Sequence, residues 1–374
     1  MNREYADVVP GGPDWTIDWQ AIDDRFGWFR ALKDCPQDPI HHAEGNVHIH
    51  ATMVCEALVG QPAWRKLDEG DRCLMFWAAL LHDVAKPRCT RTEPEGRVRS
   101  PGHSRHGQIM ARKILWQLGL EYARREMLCH LITHHQLPFF AIDKQDAARR
   151  VHLVSHQTRC DRLAMLAEAD AQGRICADQD RLLDNIELFR ELCRQERCYD
   201  APRRFASDHS RFCYFRTPDR SPDYEAYDDT RSQVTMLSGL PASGKDSFIA
   251  AMTGDATIVS LDAIRAELKI DPGDNQGRVV ASAKERARQA LRAGAPLIWN
   301  ATNLSREFRQ PLLGLFADYN AAVAIVYAET SPSEQARRNN ERPDPVPGQV
   351  IERMLGRWQP PDLTECHQLK IVLS

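Results

Sequence analysis

The run Gly239-Leu240-Pro241-Ala242-Ser243-Gly244-Lys245-Asp246-Ser247 constrains this chain more than any other segment. It follows an apolar, β-branched stretch, Val234 to Leu237, and opens a helical one, the setting that makes G-x-x-x-x-G-K a phosphate cradle. Glycines let backbone amides converge on an anion, the helix N-terminus adds positive potential, and Lys245 neutralises charge shared by the outer phosphates. A glycine-rich turn without a ligand has no need of a lysine at that offset, so Gly239 to Ser247 is expected to bind ATP or another NTP. Asp246 stands where a Ser or Thr usually holds Mg²⁺, with Ser247 one residue later, and the sequence leaves either side chain as the holder of that ion.

Around this cradle, short apolar runs alternate with helical stretches. Val234–Leu237, Thr257–Ser260, Leu297–Trp299, Val323–Tyr327 and Leu369–Leu373 are the strand candidates, and the alternation predicts a parallel sheet flanked by helices. Asp262 falls just past the second strand, at the carboxyl end where open α/β sheets bind substrates. There it is either a helix cap or a general base that takes a proton from an attacking hydroxyl, and we take it as the base. Arg265, one turn on, is placed to grip a substrate phosphate. Asn300, Thr302, Asn303 and Ser305 come at the next strand end, where orienting polar groups and a turn with a cap are equally consistent with the sequence. Arg338 and Arg342, four apart before a Pro-rich segment, suggest a lid whose guanidinium groups stabilise the transferring phosphoryl group; a solvated helix face is the bland alternative.

The other half differs in kind. From Trp19 to about Arg197 apolar residues recur at helical spacing, as in Ala78, Leu81, Ala85 and in Leu163, Leu166, Ala169. A Pro-, Arg- and aromatic-rich stretch then breaks the pattern. A chain of 374 residues exceeds one ordinary core, so we expect a helical domain over 1–200, a junction over 201–232 and an α/β domain over 233–374. No apolar run approaches the length of a membrane span, the acidic N-terminus is unlike a secretory signal, and eleven cysteines lack any C-x-x-C pair. Those features predict a cytoplasmic protein with reduced thiols and no membrane partner. With 49 basic against 52 acidic residues, bulk attraction to nucleic acid is excluded, and any such contact must be local.

Within the helical half, His82-Asp83 closes an apolar helix, and it is one of a series: His50, His103, His134-His135 and Asp170. Imidazole and carboxylate donors suit catalytic divalent metals, and crossing helices converge such residues from distant positions. We assign His50, His82, Asp83, His103, His134 and Asp170 to one or two transition metals (Mn, Ni, Co or similar), with Asp83 as a bridge. His134 and His135 stand nearly level as ligands. Lys86, a turn from Asp83, is expected to meet a substrate phosphate. His48, His106, His152 and His156 are read as structural.

His50, His82, Asp83 and Asp170 resemble the HD superfamily of metal phosphohydrolases, with His103 and His134 like the extra ligands of its two-metal members. Lys245, Asp262, Arg265, Arg338 and Arg342 resemble the 5'-hydroxyl polynucleotide kinases. The order HD then kinase looks like the bacterial bifunctional HD-Pnk family over nearly the whole chain. That resemblance implies an end-healing enzyme that phosphorylates 5'-hydroxyl ends of RNA or DNA with NTP and Mg²⁺. It further implies removal of 2',3'-cyclic phosphate, 2'-phosphate or 3'-phosphate ends, with a ligase acting downstream. Two rivals use the same residues: a small-molecule kinase joined to an HD nucleotidase, and a non-catalytic regulator gated by nucleotide. Arg265 and the arginine-aromatic stretch from Arg203 to Arg216 favour a phosphodiester strand over a neutral small acceptor.

Overall fold

The computed structural model describes residues 3–252, 254–271 and 273–374. The chain separates into two compact units, the first running to Arg203 and the second from Arg204 to Ser374.

The first unit is helical apart from a small antiparallel hairpin, β1 (Arg91–Thr92) and β2 (Val98–Arg99). At its centre lies the helix Glu69–Leu81. Asp68 caps its start by accepting from the Asp71 amide at 2.8 Å, and Glu69 and Asp71 in the first turn complement the helix dipole. Every residue from Cys73 to Leu81 is buried, so this helix is covered on all sides by its neighbours. Helices Val47–Gly60, Tyr122–His134 and Cys160–Gln172 pack around it. Gly173, just past the last of these, has room for nothing larger: a Cβ there would lie 2.8 Å from the Cα of Val54. This close approach brings the carboxyl end of one helix onto the flank of another, and both carry candidate ligands.

The second unit contains a five-stranded parallel sheet in the order β4-β5-β3-β6-β7, formed by β3 (Ser232–Ser238), β4 (Thr257–Ser260), β5 (Leu297–Asn300), β6 (Ala321–Glu329) and β7 (Gln368–Leu373). The expected strands are thus present, each extended by at most two residues at an end. Helix Gly277–Arg292 covers β4 and β5, and helix Arg306–Asp318 packs on β6. The arginine-aromatic stretch differs from its expectation. Residues Asp208–Arg216 form a helix whose Phe212 enters the core of this unit. Arg211 is buried and donates to the carbonyls of Leu363, Cys366 and His367 at 3.0, 3.2 and 2.7 Å. Arg203 is buried too, donating to the Glu196 carbonyl. These side chains are engaged in packing and backbone satisfaction, so they do not argue for a bound strand.

Arg309, fully buried, makes a bidentate pair with Glu365 at 2.9 and 2.7 Å and also donates to the carbonyls of Asn303 and Gln359. It ties the loop after β5 to the segment that leads into β7. No described helix is long and apolar enough to cross a membrane. Because removing one partner strands a buried charge, Arg309→Ala is expected to destabilise the second unit by about 3–5 kcal/mol. Urea unfolding of the full chain should show one transition moving and the other staying in place.

Candidate active sites

Helix ends build the first site. His82 is the C-cap of helix Glu69–Leu81 and His135 the C-cap of helix Tyr122–His134, so each ring has a free carbonyl one turn back. His82 Nδ1 donates to Ala79 O at 2.7 Å and His135 Nδ1 to Ile132 O at 2.7 Å. His103 Nδ1 likewise donates to Ser100 O at 2.8 Å, and His50 Nδ1 to Gly173 O at 3.1 Å. A carbonyl only accepts, so all four rings carry their proton on Nδ1 and present the Nε2 lone pair to the centre.

Asp83 is the group they face. One donor atom from each of His50, His82 and Asp83 lies within 4.8 Å of the others, and the same holds for Asp83, His103 and His135. Asp170 completes the first group, with its Oδ1 3.1 Å from His50 Nε2. Asp83 Oδ1 is buried with no hydrogen-bond donor, and the Nε2 atoms of His50 and His82 approach to 3.2 Å. Burial pushes the imidazolium of His82 down, but Asp83 and Asp170 outweigh it and hold its pKa above the ordinary value. An orphaned carboxylate oxygen, opposed lone pairs and a histidine drawn towards protonation all describe a place that demands positive charge. The donor set fits one or two divalent cations with Asp83 shared between them.

One correction concerns this site. His134, read as a ligand, points away and meets Gln157 Oε1 at 2.8 Å, whereas His135 occupies the centre and burial holds it neutral, with a pKa pushed down to about 3. His135 keeps helical backbone angles and lies about 100° further round the axis than His134, so only one of the two rings can face the centre. Glu44 and His42 were not anticipated. Glu44 Oε1 lies 3.0 Å from His50 Nδ1 and 2.8 Å from His42 Nδ1, orienting both rings. Arg174 was missed as well; it pairs with Asp170 at 2.6 Å and stacks over Phe139. Lys86 bridges Asp83 and Gln37 at 2.7 and 2.6 Å. A cavity of about 460 Å³, lined by Lys86, Arg174, Arg181, His42 and His103 among others, opens onto this cluster.

Loops at the carboxyl ends of the strands build the second site. Gly239 has φ +146, and a Cβ there would lie 2.3 Å from the carbonyl oxygen of Ala328, so only glycine lets the cradle lie against β6. Lys245 donates to the carbonyls of Gly239 and Leu240 at 2.9 and 2.7 Å, which holds its ammonium over the loop. Burial lowers its pKa to about 8. Thr302 O accepts from the Gly239 amide, and Asn303 Nδ2 donates to Leu237 O at 2.6 Å, so this part of the loop after β5 braces the cradle. Ser305 caps the following helix. Asn300 instead enters the cleft and donates to Asp246 at 3.1 Å, which marks Asp246 as the carboxylate fixed beside the cradle.

Ser260, not Asp262, caps the helix after β4, which leaves the Asp262 carboxylate 86% exposed and paired with Arg265. Arg265 is also held by Gln276 at 2.8 Å. Arg338 is braced by Glu334 and Ser374 at 2.6 and 2.9 Å and reaches to the cradle beside Gly244. The helix ends at Asn340, so Arg342 lies in the turn beyond it and not on the same helical face, although both arginines line one cleft. Asn339 fixes that turn, exchanging two hydrogen bonds with the backbone of Val346. Arg353 and Arg357, unremarked in the sequence, complete the far wall from helix Gly348–Leu355 and just beyond.

Two family models match separate parts of this architecture: residues 47–172 match an HD domain and residues 234–361 an AAA domain. The chain is therefore an HD-type phosphohydrolase domain fused to a P-loop kinase-like domain. Among curated proteins, an A-adding tRNA nucleotidyltransferase of Deinococcus radiodurans is 40% identical over 80 residues, covering 21% of this chain and 18% of that protein. The match thus spans less than a fifth of that relative's length. Among solved structures, an unliganded sugar kinase of Janibacter sp. HTCC2649 aligns with 38% of this chain and 85% of its own, at 17% identity and a TM-score of 0.30.

The two sites yield two expected outcomes. His135→Ala should weaken divalent-metal retention by about 10-fold or more, as loss of a supporting or direct ligand does, while His134→Ala leaves it unchanged; metal content after dialysis against graded chelator checks this. Polyphosphate stabilises the charged form of Lys245 and raises its pKa on binding. Nucleotide affinity is therefore expected to fall as pH rises through about 8, with proton uptake measurable by calorimetry in buffers of different ionisation enthalpy.

Proposed function

We propose that this chain heals nucleic-acid ends, phosphorylating 5'-hydroxyl termini at the P-loop site and removing 2',3'-cyclic phosphate, 2'-phosphate or 3'-phosphate at the HD site. The observation that carries the proposal is the second cleft. At about 1310 Å³ it takes in the cradle and, beyond it, a wall lined by Arg265, Arg338, Arg342, Arg353 and Arg357. A neutral sugar or nucleoside needs no such row of guanidinium groups, whereas a phosphodiester strand meets one at each step. The similarity over 80 residues to an enzyme named for acting on tRNA is consistent with an RNA end.

In the kinase reaction the cradle amides and Lys245 receive the β- and γ-phosphates of the NTP. Asp262, exposed in the cleft, accepts the proton of the 5'-hydroxyl as its oxygen attacks the γ-phosphorus and the bond to the nucleoside diphosphate breaks. Arg265 fixes that carboxylate and offers its remaining N–H groups to the acceptor phosphate. Arg338, held over the cradle, neutralises charge on the transferring group. Asp246, steadied by Asn300, and Ser247 are the residues that would hold Mg²⁺ there, which would neutralise phosphate charge.

At the HD site, divalent metal held by His50, His82, Asp83, His103, His135 and Asp170 would acidify a water and polarise the phosphate ester. Glu44 and the backbone carbonyls keep the four imidazoles aimed inward. Lys86 and Arg174 present positive charge to the cavity where the phosphate would lie.

A 5'-hydroxyl oligonucleotide bearing a 2',3'-cyclic phosphate tests both halves together. Asp262→Ala is expected to lose 5'-labelling by about 10²–10⁴-fold while keeping 3'-end removal, and His82→Ala/Asp83→Ala should show the reverse. If the wild type leaves both ends untouched and phosphorylates small hydroxylated acceptors, a small-molecule kinase takes the place of this proposal.

A further inference from the structure

Away from both active sites, the first unit brings three thiols together. Cys160, Cys193 and Cys198 are buried, and the three Sγ atoms all lie within 4.8 Å of one another. Two separate local structures produce this convergence. Helix Gln179–Gln195 closes through Arg197 at φ 53, with the Cys198 amide donating to Cys193 O at 2.8 Å and the Arg197 amide to Arg194 O at 3.0 Å. This is the Schellman closure, which apposes one side chain in the last helical turn with one just past the end. That pair is usually apolar; here both members are cysteine. Cys160 arrives from another element, as the first residue of helix Cys160–Gln172. The Asp161 amide donates to Tyr199 O at 2.8 Å, which ties the segment after Cys198 to that same helix start.

His152 lies beside them. It is fully buried, interacts electrostatically with Cys198, and bonds through Nε2 to Glu196 Oε2 at 2.8 Å. A disulfide would use two of the three sulfurs and give the third no part. Apolar packing alone gives no reason for three sulfurs to share one point.

We propose that Cys160, Cys193 and Cys198 form a structural site for a soft divalent cation, Zn²⁺ by its preference for thiolate. Such an ion clamps the end of helix Gln179–Gln195 to the start of the helix that carries Asp170. Each thiol gives up its proton on binding, so uptake of the ion strengthens as pH rises.

Cobalt titration of the metal-free, reduced, full-length protein tests the site, because no cysteine belongs to the HD cluster. Co²⁺ in excess of both sites is expected to produce thiolate-to-cobalt charge-transfer bands that Zn²⁺ erases. The bands should persist in His82→Ala/Asp83→Ala and vanish in Cys193→Ser and Cys198→Ser. Absence of the charge-transfer band in the wild type overturns the proposal whatever the variants do. So does a band that survives Cys198→Ser, or a stable disulfide among the three cysteines in protein that binds no zinc. None of these readouts depends on the end-healing assignment.

Discussion

A buried carboxylate with one oxygen left without a donor governs the first unit. Burying Asp83 is costly unless positive charge answers it, and Lys86 answers only one of its oxygens. The surrounding helices are arranged around that demand. The helix ends place His82 and His135, and the near-contact at Gly173 supplies the carbonyl that turns His50. Arg174 balances Asp170 through both of its oxygens, one of which also lies 3.1 Å from His50 Nε2 on the side of the common centre. The hydrophobic packing of helix Glu69–Leu81 supports this polar centre, and without that packing the geometry of the donors would not hold.

In the second unit positive charge is gathered for an anion instead. Lys245 rests on carbonyls of its own loop, and Arg338 and Arg265 are each braced by a carboxylate and a neutral group. Preorganisation of this kind means that little rearrangement is needed when phosphates arrive, which is how electrostatic stabilisation becomes useful to a phosphoryl transfer.

Much of this was legible in the sequence because the signals were local. The G-x-x-x-x-G-K run between a strand and a helix, and the apolar runs that became β3 to β7, depend on near neighbours and on period. His82-Asp83 was legible through the series of distant histidines. What escaped depended on which way a side chain faces. His134 and His135 stood level as neighbouring candidates, and the choice between them depended on which ring faces the centre: His134 meets Gln157, whereas His135 joins Asp83 and His103. Arg338 and Arg342 were put on one face by their spacing, and the helix ends between them. Glu44 and Arg174 hold His50 and Asp170 in place from loop positions, so no motif marks them. The arginine-aromatic stretch misled because composition does not distinguish an arginine that meets solvent from Arg211, which satisfies three carbonyls in a core.

The turn held by Asn339 separates two kinds of sequence requirement. Up to that residue the elements that touch the cradle are bound by backbone contacts to β6 and to the loop after β5, and substitutions there disturb the phosphate grip itself. Beyond it, Arg342, Arg353 and Arg357 stand on a surface segment pinned by Asn339 at its start and by the buried Leu355 and Trp358 at its end, where Trp358 donates to the Tyr327 hydroxyl at 2.9 Å, and the exposed positions between those anchors accept exchange without cost to the sheet. Acceptor preference is therefore free to diverge among descendants of such a chain while the phosphoryl-transfer machinery stays fixed, and a change in what is phosphorylated requires no change in how.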